Sequence, residues 1–548
     1  MVSNKFSIIL LLQILGIVFC QRVPPKWSEK SHVVKGALYL PYAEIKEPFE
    51  AWYDTRTNNS RIDFYNGLAK TYQLGEHGFG TSLKVVPFTT EEVLNKITCF
   101  QVNGTEDDPV TPQAILPSLD DFTFAGEEEI DGKHAEKWTL TVVEGEKKNV
   151  YTMWVGKHHH GHPVPIKYDM MGYNTLLGSH YDHYYVDYYF YEHRRISRET
   201  FNAEVHGITC REFPGPGNQR VHSFNPMSEF IRPEKTEHVD SRFNDFIETH
   251  GKGYETVHEH TLRKEIFRQN LRFIESHNRQ NKGYTLAVNH LADKTENELK
   301  VLRGRVSSGG DNGGLPFSQE NIGGDDLPDQ YDWRLYGAVT PVKDQAVCGS
   351  CWAFGTIGAL EGSLFLKNGG NLVRLSEQAL LDCSWGYGNN GCDGGEDFRS
   401  YQWILKHGGV PTDADYGNYL GEDSYCKADK LNKTAAITGW VNVTSNDETA
   451  LRQAIFTSGP ISVAIDASRK GFSFYSKGVY YDENCGNKDE DLDHAVLAVG
   501  YGTIDGQDYW LVKNSWSTYW GNDGYILMSA KDNNCGVMTT PTYPVIAN

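Results

Sequence analysis

After residue 20 the sequence lacks any apolar run of about 18 residues, the length that a membrane-spanning helix needs. Positive charge is also scarce, because 52 lysines and arginines stand against 72 aspartates and glutamates, a formal net charge of −20. This balance argues against nucleic acid or an anionic membrane as a partner. The sequence therefore predicts no membrane span after residue 20 and no nucleic-acid partner.

Cysteine is sparse, with ten residues in 548. Cys20 ends an apolar stretch of signal-peptide length that begins at Phe6, so residues 1–20 are predicted to be cleaved off before Gln21. If Cys351 stays free, the other cysteines form an even set that suits disulfides in an oxidising compartment. We therefore expect passage through the secretory pathway to a lysosome, a secretory granule or the outside. Four N-x-S/T sequons agree with this route and predict glycosylation at Asn58, Asn103, Asn432 and Asn442.

Residues 21–235 alternate apolar and polar side chains between polar turns, as in segments 35–42, 136–143 and 184–191. This pattern predicts a curved antiparallel sheet or half-barrel. Its two cysteines, Cys99 and Cys210, are expected to pair because this part of the chain has no third.

The histidine-rich segment 158–162 is interpreted as a solvated loop rather than a metal site. Neighbouring side chains of one strand point to opposite faces, and no cysteine or carboxylate follows at ligand spacing. No metal and no chemistry are predicted for this domain.

Residues 241–305 change to helical periodicity. One predicted helix carries six residues that match the E-x3-R-x3-F-x2-N-x3-I-x3-N pattern of cathepsin L-like propeptides: Glu259, Arg263, Phe267, Asn270, Ile274 and Asn278. A second motif, Ala287, Asn289, Leu291 and Asp293, resembles G-x-N-x-F-x-D with two substitutions. The resemblance implies an inhibitory pro-segment that lies along an active-site cleft. The Gly/Ser/Asn/Asp-rich stretch 306–326 then predicts a flexible linker that is cut on activation.

Cys351 stands at the head of an apolar run predicted to be a buried helix. The positive end of the helix dipole favours a thiolate there, which is the nucleophilic form of cysteine. The letters Cys348-Gly-Ser-Cys351-Trp352 fit the C-G-[SA]-C-[WY] signature of papain and the cathepsins, and the sequence resembles that family from about residue 241 onward. The alternatives at this motif alone are a buried structural cysteine or a C-x-x-C redox pair.

The resemblance also implies the partners of Cys351. His494 and Asn514 follow it by 143 and 163 residues, against roughly 130–150 expected for the family. By similarity, His494 exchanges a proton with Cys351, Asn514 orients the imidazole, Trp516 shields their hydrogen bond, and Gln345 donates to the oxyanion.

Further positions follow from the same resemblance. It implies the disulfides Cys348–Cys392, Cys383–Cys426 and Cys485–Cys535, and a backbone strip at Gly394 and Gly395 that pairs with extended substrate. It also implies a specificity pocket that includes Ala464, Ala495 and Thr540.

The sequence departs from the family at Ala346, where glycine is common, and at Glu396 and Asp397, where apolar pocket residues are common. If either acid points into the pocket, basic substrate side chains are favoured. If both face solvent or pair with Arg399, the pocket stays apolar.

Together these features predict an α+β protein with a papain-like peptidase at 327–548, built from a helical lobe facing a β-barrel-like lobe. The predicted function is a secreted or lysosomal cysteine endopeptidase made as a zymogen, with no cofactor. Its expected partners are polypeptide substrates, its own pro-segment and cystatin-type inhibitors. The layout resembles that of the long cysteine proteases of insect haemocytes that are processed to two chains. Two alternatives stay open: a dipeptidyl peptidase similar to cathepsin C, and a ligand-binding role for the β-rich domain.

Overall fold

The structure is a computed structural model that describes residues 22–27, 31–89, 94–158, 161–175, 178–203, 209–212, 227–231, 237–318 and 327–547. The predicted signal segment, two residues of the histidine-rich loop and residues 319–326 of the linker lie outside the described residues. No helix within the described ranges is long and apolar enough to cross a membrane.

The first unit is one sheet of twelve strands in the order β12-β6-β5-β4-β3-β2-β1-β11-β10-β9-β8-β7. Neighbouring strands are antiparallel except for the pair β12 and β6. Alternate residues such as Leu38, Tyr168 and Tyr184 are buried in one core, which is why the segments alternate in the sequence. Cys99 and Cys210 form a disulfide between β6 and the segment before β12. The strands are β1 His32–Leu40, β2 Ile45–Asp54, β3 Asn59–Phe64, β4 Ala69–Leu74, β5 Thr81–Phe88, β6 Lys96–Asn103, β7 Thr123–Ile130, β8 Lys133–Glu144, β9 Lys147–Lys157, β10 Pro163–Asn174, β11 His180–His193 and β12 Arg211–Glu212.

The pro-segment consists of helices that connect the first unit to the last. They are α2 Glu237–Thr249, α3 Val257–Arg279 and α4 Glu296–Lys300, and they follow the short helix α1 Ser228–Ile231, whose Phe230 and Ile231 lie in the core of the first sheet. Phe267, Leu271 and Ile274 of α3 belong to the same hydrophobic core as the C-terminal unit. Charged residues of α3 contact the first sheet instead, where Arg272 Nη1 lies 2.8 Å from Asp182 Oδ1 and Arg279 pairs with Glu47. Helix α3 is therefore held between the two large units.

Polar side chains of the α3 motif hold the segment that follows the helix. Asn270 Nδ2 donates to the Ala292 carbonyl at 2.9 Å, and Arg263 Nη1 lies 2.8 Å from Glu298 Oε2. Asn289 Nδ2 donates to Ser473 O of the C-terminal unit at 2.9 Å. These bonds tie the two sequence motifs to each other and to the unit that they cover.

The C-terminal unit pairs a helical lobe with a sheet of ten strands. The sheet has the order β13-β18-β21-β20-β19-β17-β22-β16-β14, and β15 pairs with β19 beside it. The outer strands β13 and β14 come from the pro-segment and the linker, so the chain ahead of the unit extends its sheet at both ends. The strands are β13 Tyr284–Leu286, β14 Leu315–Pro316, β15 Tyr331–Asp332, β16 Ile437–Asn442, β17 Ile461–Ile465, β18 Tyr475–Tyr480, β19 His494–Ile504, β20 Gln507–Lys513, β21 Tyr525–Ser529 and β22 Thr542–Ile546. The helices are α5 Cys351–Lys367, α6 Glu377–Cys383, α7 Asp397–His407, α8 Asp413–Tyr416, α9 Glu448–Ser458 and α10 Lys470–Ser473.

Candidate active site

Cys351 is the first residue of α5 and the free cysteine of the described chain. Its thiol is fully buried, and burial raises its pKa to about 11 although backbone hydrogen bonds from Ala495, Gly304 and Trp352 oppose the shift. This corrects the sequence expectation of a thiolate. In this form of the protein the loss of water around Cys351 outweighs the helix dipole.

His494 is the first residue of strand β19, and its imidazole is buried in the interior of the C-terminal unit. Its Nε2 lies 2.8 Å from Asn514 Oδ1, and since that oxygen only accepts, Nε2 carries the proton. The buried Nδ1 makes no hydrogen bond of regular geometry among the described residues, and the nearby Leu302 backbone opposes the fall of the imidazole pKa. Trp516 covers this pair, and the centroids of the Trp516 and His494 rings are 4.8 Å apart. Burial lowers the pKa of His494 to about 4, so the imidazole is neutral here.

Gln345 is buried with its amide fixed on both sides. Its Oε1 accepts a 2.6 Å hydrogen bond from Ser515 Oγ, and its Nε2 donates to Cys348 O at 2.7 Å. The same Nε2 also donates to Leu302 O of the pro-segment at 2.9 Å. A backbone carbonyl of the chain itself therefore occupies the donor that the sequence assigns to an oxyanion.

The pro-segment passes directly over Cys351 at Gly304. Gly304 O accepts from Gly395 N at 2.9 Å, and Val306 N donates to Gly395 O at 3.2 Å. A Cβ placed on Gly304 would lie 1.8 Å from Gly349 O, so the two backbones are in contact without room for a side chain. The glycine strip predicted to bind an extended peptide is filled by the chain's own residues.

Two arginines on either side of Gly304 pair with acids of the C-terminal unit. Arg303 Nε lies 3.0 Å from Asp493 Oδ2, and Arg305 Nη2 lies 2.5 Å from Asp489 Oδ1. Both arginine side chains are largely buried. Sequence reasoning did not find these pairs, although two arginines flanking one glycine just ahead of the linker are a local signal that could have drawn attention.

Glu396 and Asp397 are partnered by protein groups. Glu396 Oε2 lies 2.9 Å from Arg399 Nε, and its Oε1 accepts from Ser308 N at 3.0 Å. Asp397 Oδ2 accepts from Thr542 Oγ1 at 2.5 Å. Pairing of Glu396 with Arg399 is one of the two arrangements that the sequence left open. The structure adds the contact with the segment in the cleft.

Of the other predicted pocket residues, Ala464 and Ala495 are register partners on β17 and β19, and both are buried. Thr540 is half-buried in the segment before β22. Ala346, next to Gln345, has φ 53°, the left-handed region that favours the glycine common in the family.

The structure also places the predicted disulfides and the sequon asparagines. The structure has disulfides Cys348–Cys392, Cys383–Cys426 and Cys485–Cys535. Three of the sequon asparagines, Asn58, Asn103 and Asn432, are exposed. Asn442 is half-buried, and its amide exchanges two hydrogen bonds with Asn312 of the linker, an arrangement that disfavours a glycan there. In the described ranges, no group of three or more histidine, cysteine or acidic residues could hold a metal ion.

Comparison with known proteins places this geometry among proteases. Residues 327–545 match the description "papain family cysteine protease", and residues 243–299 match the cathepsin propeptide inhibitor domain. Over 303 residues the chain is 44% identical to digestive cysteine proteinase 2 of Homarus americanus, covering 54% of this chain and 92% of that protein. Over 315 residues it is 44% identical to cathepsin L of Sarcophaga peregrina, covering 54% and 90% respectively. A digestive procathepsin L 3 from Tenebrio molitor larval midgut superposes with a TM-score of 0.52 at 37% identity, over 57% of this chain and all of the other. These matches confirm the papain-like fold with its pro-segment.

Proposed function

The chain belongs to the papain family of cysteine proteases and carries an inhibitory pro-segment, and we propose that it is a cathepsin L-like endopeptidase made as a zymogen. One observation carries the proposal: the Leu302 carbonyl accepts a hydrogen bond from Gln345 Nε2, and the backbone of the neighbouring Gly304 contacts the Cys351 thiol. A peptide backbone lies where a substrate backbone would have to lie for hydrolysis. The proposed compartment is an acidic one of the secretory pathway, with activation by cutting in segment 306–326.

In the proposed mechanism, departure of the pro-segment exposes Cys351 to solvent. The thiol then transfers its proton to His494, and the two form a thiolate–imidazolium ion pair. The thiolate attacks the scissile carbonyl carbon, and the resulting oxyanion accepts hydrogen bonds from Gln345 Nε2 and the Cys351 N–H. His494 protonates the leaving amine, which departs as the acyl-enzyme forms. The imidazole then takes a proton from water, whose oxygen attacks the thioester and releases the acid. The Asn514 contact supports this assignment because it holds the imidazole with Nδ1 free for proton exchange.

A peptide blocked at both ends tests the endopeptidase assignment. The full chain is incubated at acidic pH, the N-termini of the products are sequenced, and cleavage of an internally quenched blocked peptide is followed. We expect a new N-terminus within 306–327 and cleavage of the blocked peptide. Cleavage of free-amine peptides alone, two residues at a time, would instead support a dipeptidyl peptidase.

Activation is expected to accelerate as pH falls below about 6.5, because the buried His277 and the half-buried His290 of the pro-segment are neutral in the closed form. Burial lowers the pKa of His277 and His290 to about 4. The released segment has ordinary histidines with a pKa of about 6.5, so it binds protons first and closure is weakened between pH 6.5 and about 4. Asp493, whose pKa burial raises to about 6, acts in the opposite direction, but one carboxyl opposes two histidines.

The corresponding variant is His277→Gln/His290→Gln, which removes both titrations. We expect the pH at which conversion is half-maximal to fall by about one unit, measured from the conversion rate between pH 4 and pH 7. His258→Gln is the matched control, because His258 is exposed at the start of α3. An unchanged pH midpoint in the double variant would exclude these histidines as the cause.

The main specificity pocket is expected to prefer large apolar side chains. Arg399 balances Glu396 and Thr542 holds Asp397, which leaves apolar walls such as Ala464 and Ala495. Burial of a large apolar side chain contributes about 1.5–3 kcal/mol. A peptide library should therefore give the same profile at pH 4 and pH 6.5, and with Asp397→Asn. A preference for arginine or lysine that fades at low pH would show that the acids face the substrate.

A further inference from the structure

A cavity of about 690 Å³ lies where the three units of the protein meet. The first sheet contributes the turn at residues 42–46, α3 contributes Phe273 and His277, and the C-terminal unit contributes residues 468–471. The volume is in the range of small-molecule sites. Because each wall comes from a different unit, the cavity exists only while the pro-segment is docked between the other two.

The walls of this junction cavity are rich in positive charge, against the −20 of the whole chain. Five basic residues belong to its lining: Lys46, Lys282, Lys294, Arg469 and Lys470. The Lys46 ammonium lies 5.3 Å from the centroid of the Tyr39 ring, so it is turned toward that ring and does not add to the charge of the cavity. Three acids also line it, but Glu296 pairs with Arg303 at 2.6 Å and Asp482 lies 3.8 Å from Arg469. That leaves Glu44 as the acid beside Lys282, Lys294 and Lys470.

Lys470 is the most constrained of these lysines. It stands at the first position of α10, with Nζ 4.9 Å from the centroid of the Phe273 ring. Within the described part of the chain, no carboxylate lies within ion-pair distance of Nζ. Burial lowers the pKa of Lys470 to about 8, against the opposing effect of Glu296 and Glu44. A half-buried ammonium with so little compensation gains from an anion that enters the cavity.

We propose that the junction cavity binds a compact anion that carries several phosphate or sulfate groups, with Lys470 as its central contact. Several anionic groups on one molecule match several lysines around one space, whereas a single carboxylate would satisfy one of them. A ligand that binds the assembled form alone stabilises it by mass action. The bound anion therefore holds the pro-segment in place and slows activation, an effect that rests on the proposed zymogen function, whereas binding itself does not.

Binding is tested on the full-length Cys351→Ser protein, in which self-processing is absent. Tripolyphosphate and sucrose octasulfate are titrated by calorimetry at constant ionic strength. We expect saturable binding of at least one probe, and Lys470→Gln should weaken it about tenfold, the effect of 1.4 kcal/mol. If only tripolyphosphate binds, the site takes phosphate groups; if only sucrose octasulfate binds, it takes sulfate groups. Lys406→Gln, an exposed lysine on α7 outside the cavity, is the matched control and should bind as the parent does.

A second variant, Lys282→Gln/Lys294→Gln, changes two other lysines of the lining and still tests the site if Lys470→Gln is unstable. Absence of saturable binding, or equal affinity in the variants and the control, overturns the site. With the unsubstituted chain, a saturating probe should also slow acid conversion. Binding without slower conversion overturns the regulatory effect alone, and a chain that never converts points to failure of the proposed function instead.

Discussion

Replacement of Gly304 by valine is expected to raise the activity of the unprocessed chain at neutral pH by roughly 5–150-fold, the range equivalent to 1–3 kcal/mol. The new Cβ would meet the Gly349 carbonyl oxygen at 1.8 Å, and that oxygen belongs to backbone that cannot rotate away. Overpacking of this kind costs about 1–3 kcal/mol. The strain falls on the closed state alone, because the pro-segment leaves Gly349 when the cleft opens.

Hydrolysis of a blocked fluorogenic peptide at pH 7, before any processing on a gel, measures this effect. Gly253→Val is the matched control, because a Cβ on Gly253 of the pro-segment meets nothing within 4 Å. Both variants should keep the melting transition of the C-terminal unit. If the unprocessed Gly304→Val chain hydrolyses the peptide no faster than the control, the backbone contact over Cys351 is not what closes the cleft.

Replacement of Cys351 by serine is expected to lower kcat by about 10⁴–10⁶-fold, the loss seen when a catalytic triad loses one member. Because this variant cannot process itself, its pro-segment is removed by an added protease before the assay. Serine occupies nearly the same volume, and Cys351 takes part in none of the four disulfides, so the fold should be retained. A hydroxyl is a far weaker nucleophile beside an imidazole that was arranged for a thiol.

The smaller loss expected for Gln345→Ala separates chemistry from folding. Removal of one oxyanion donor typically costs about 10²–10³ in kcat. The two variants are compared by kcat on one blocked peptide, with the protein concentration taken from absorbance because the serine variant has no thiol to titrate. Retained activity in Cys351→Ser would require another nucleophile.

The sequence was most informative where function depends on local pattern. The neighbours of Cys351 and the spacing to His494 predict the constellation, because the signature residues lie within a few positions of each reactive group. Alternation along β8 to β11 likewise predicts antiparallel strands, since one face of that sheet is buried.

Contacts between distant segments and backbone atoms could not be predicted in this way. Arg303 meets Asp493 only because the chain folds back across the cleft, and the Leu302 carbonyl carries no residue-specific signal at all. The sequence predicted a thiolate at Cys351, and for the closed form that prediction was wrong for a related reason. The helix dipole follows from the sequence, but the larger effect of burial follows from what covers the thiol.

The central claim is that Cys351 is the nucleophile and that the pro-segment covers it. Labelling with an epoxysuccinyl thiol inhibitor, followed by peptide mass spectrometry before and after acid processing, tests both parts at once. The account predicts one adduct, on Cys351, in the processed enzyme and little or none in the unprocessed chain. An adduct on another cysteine, or a processed enzyme that hydrolyses peptides while Cys351 stays unlabelled, would contradict it.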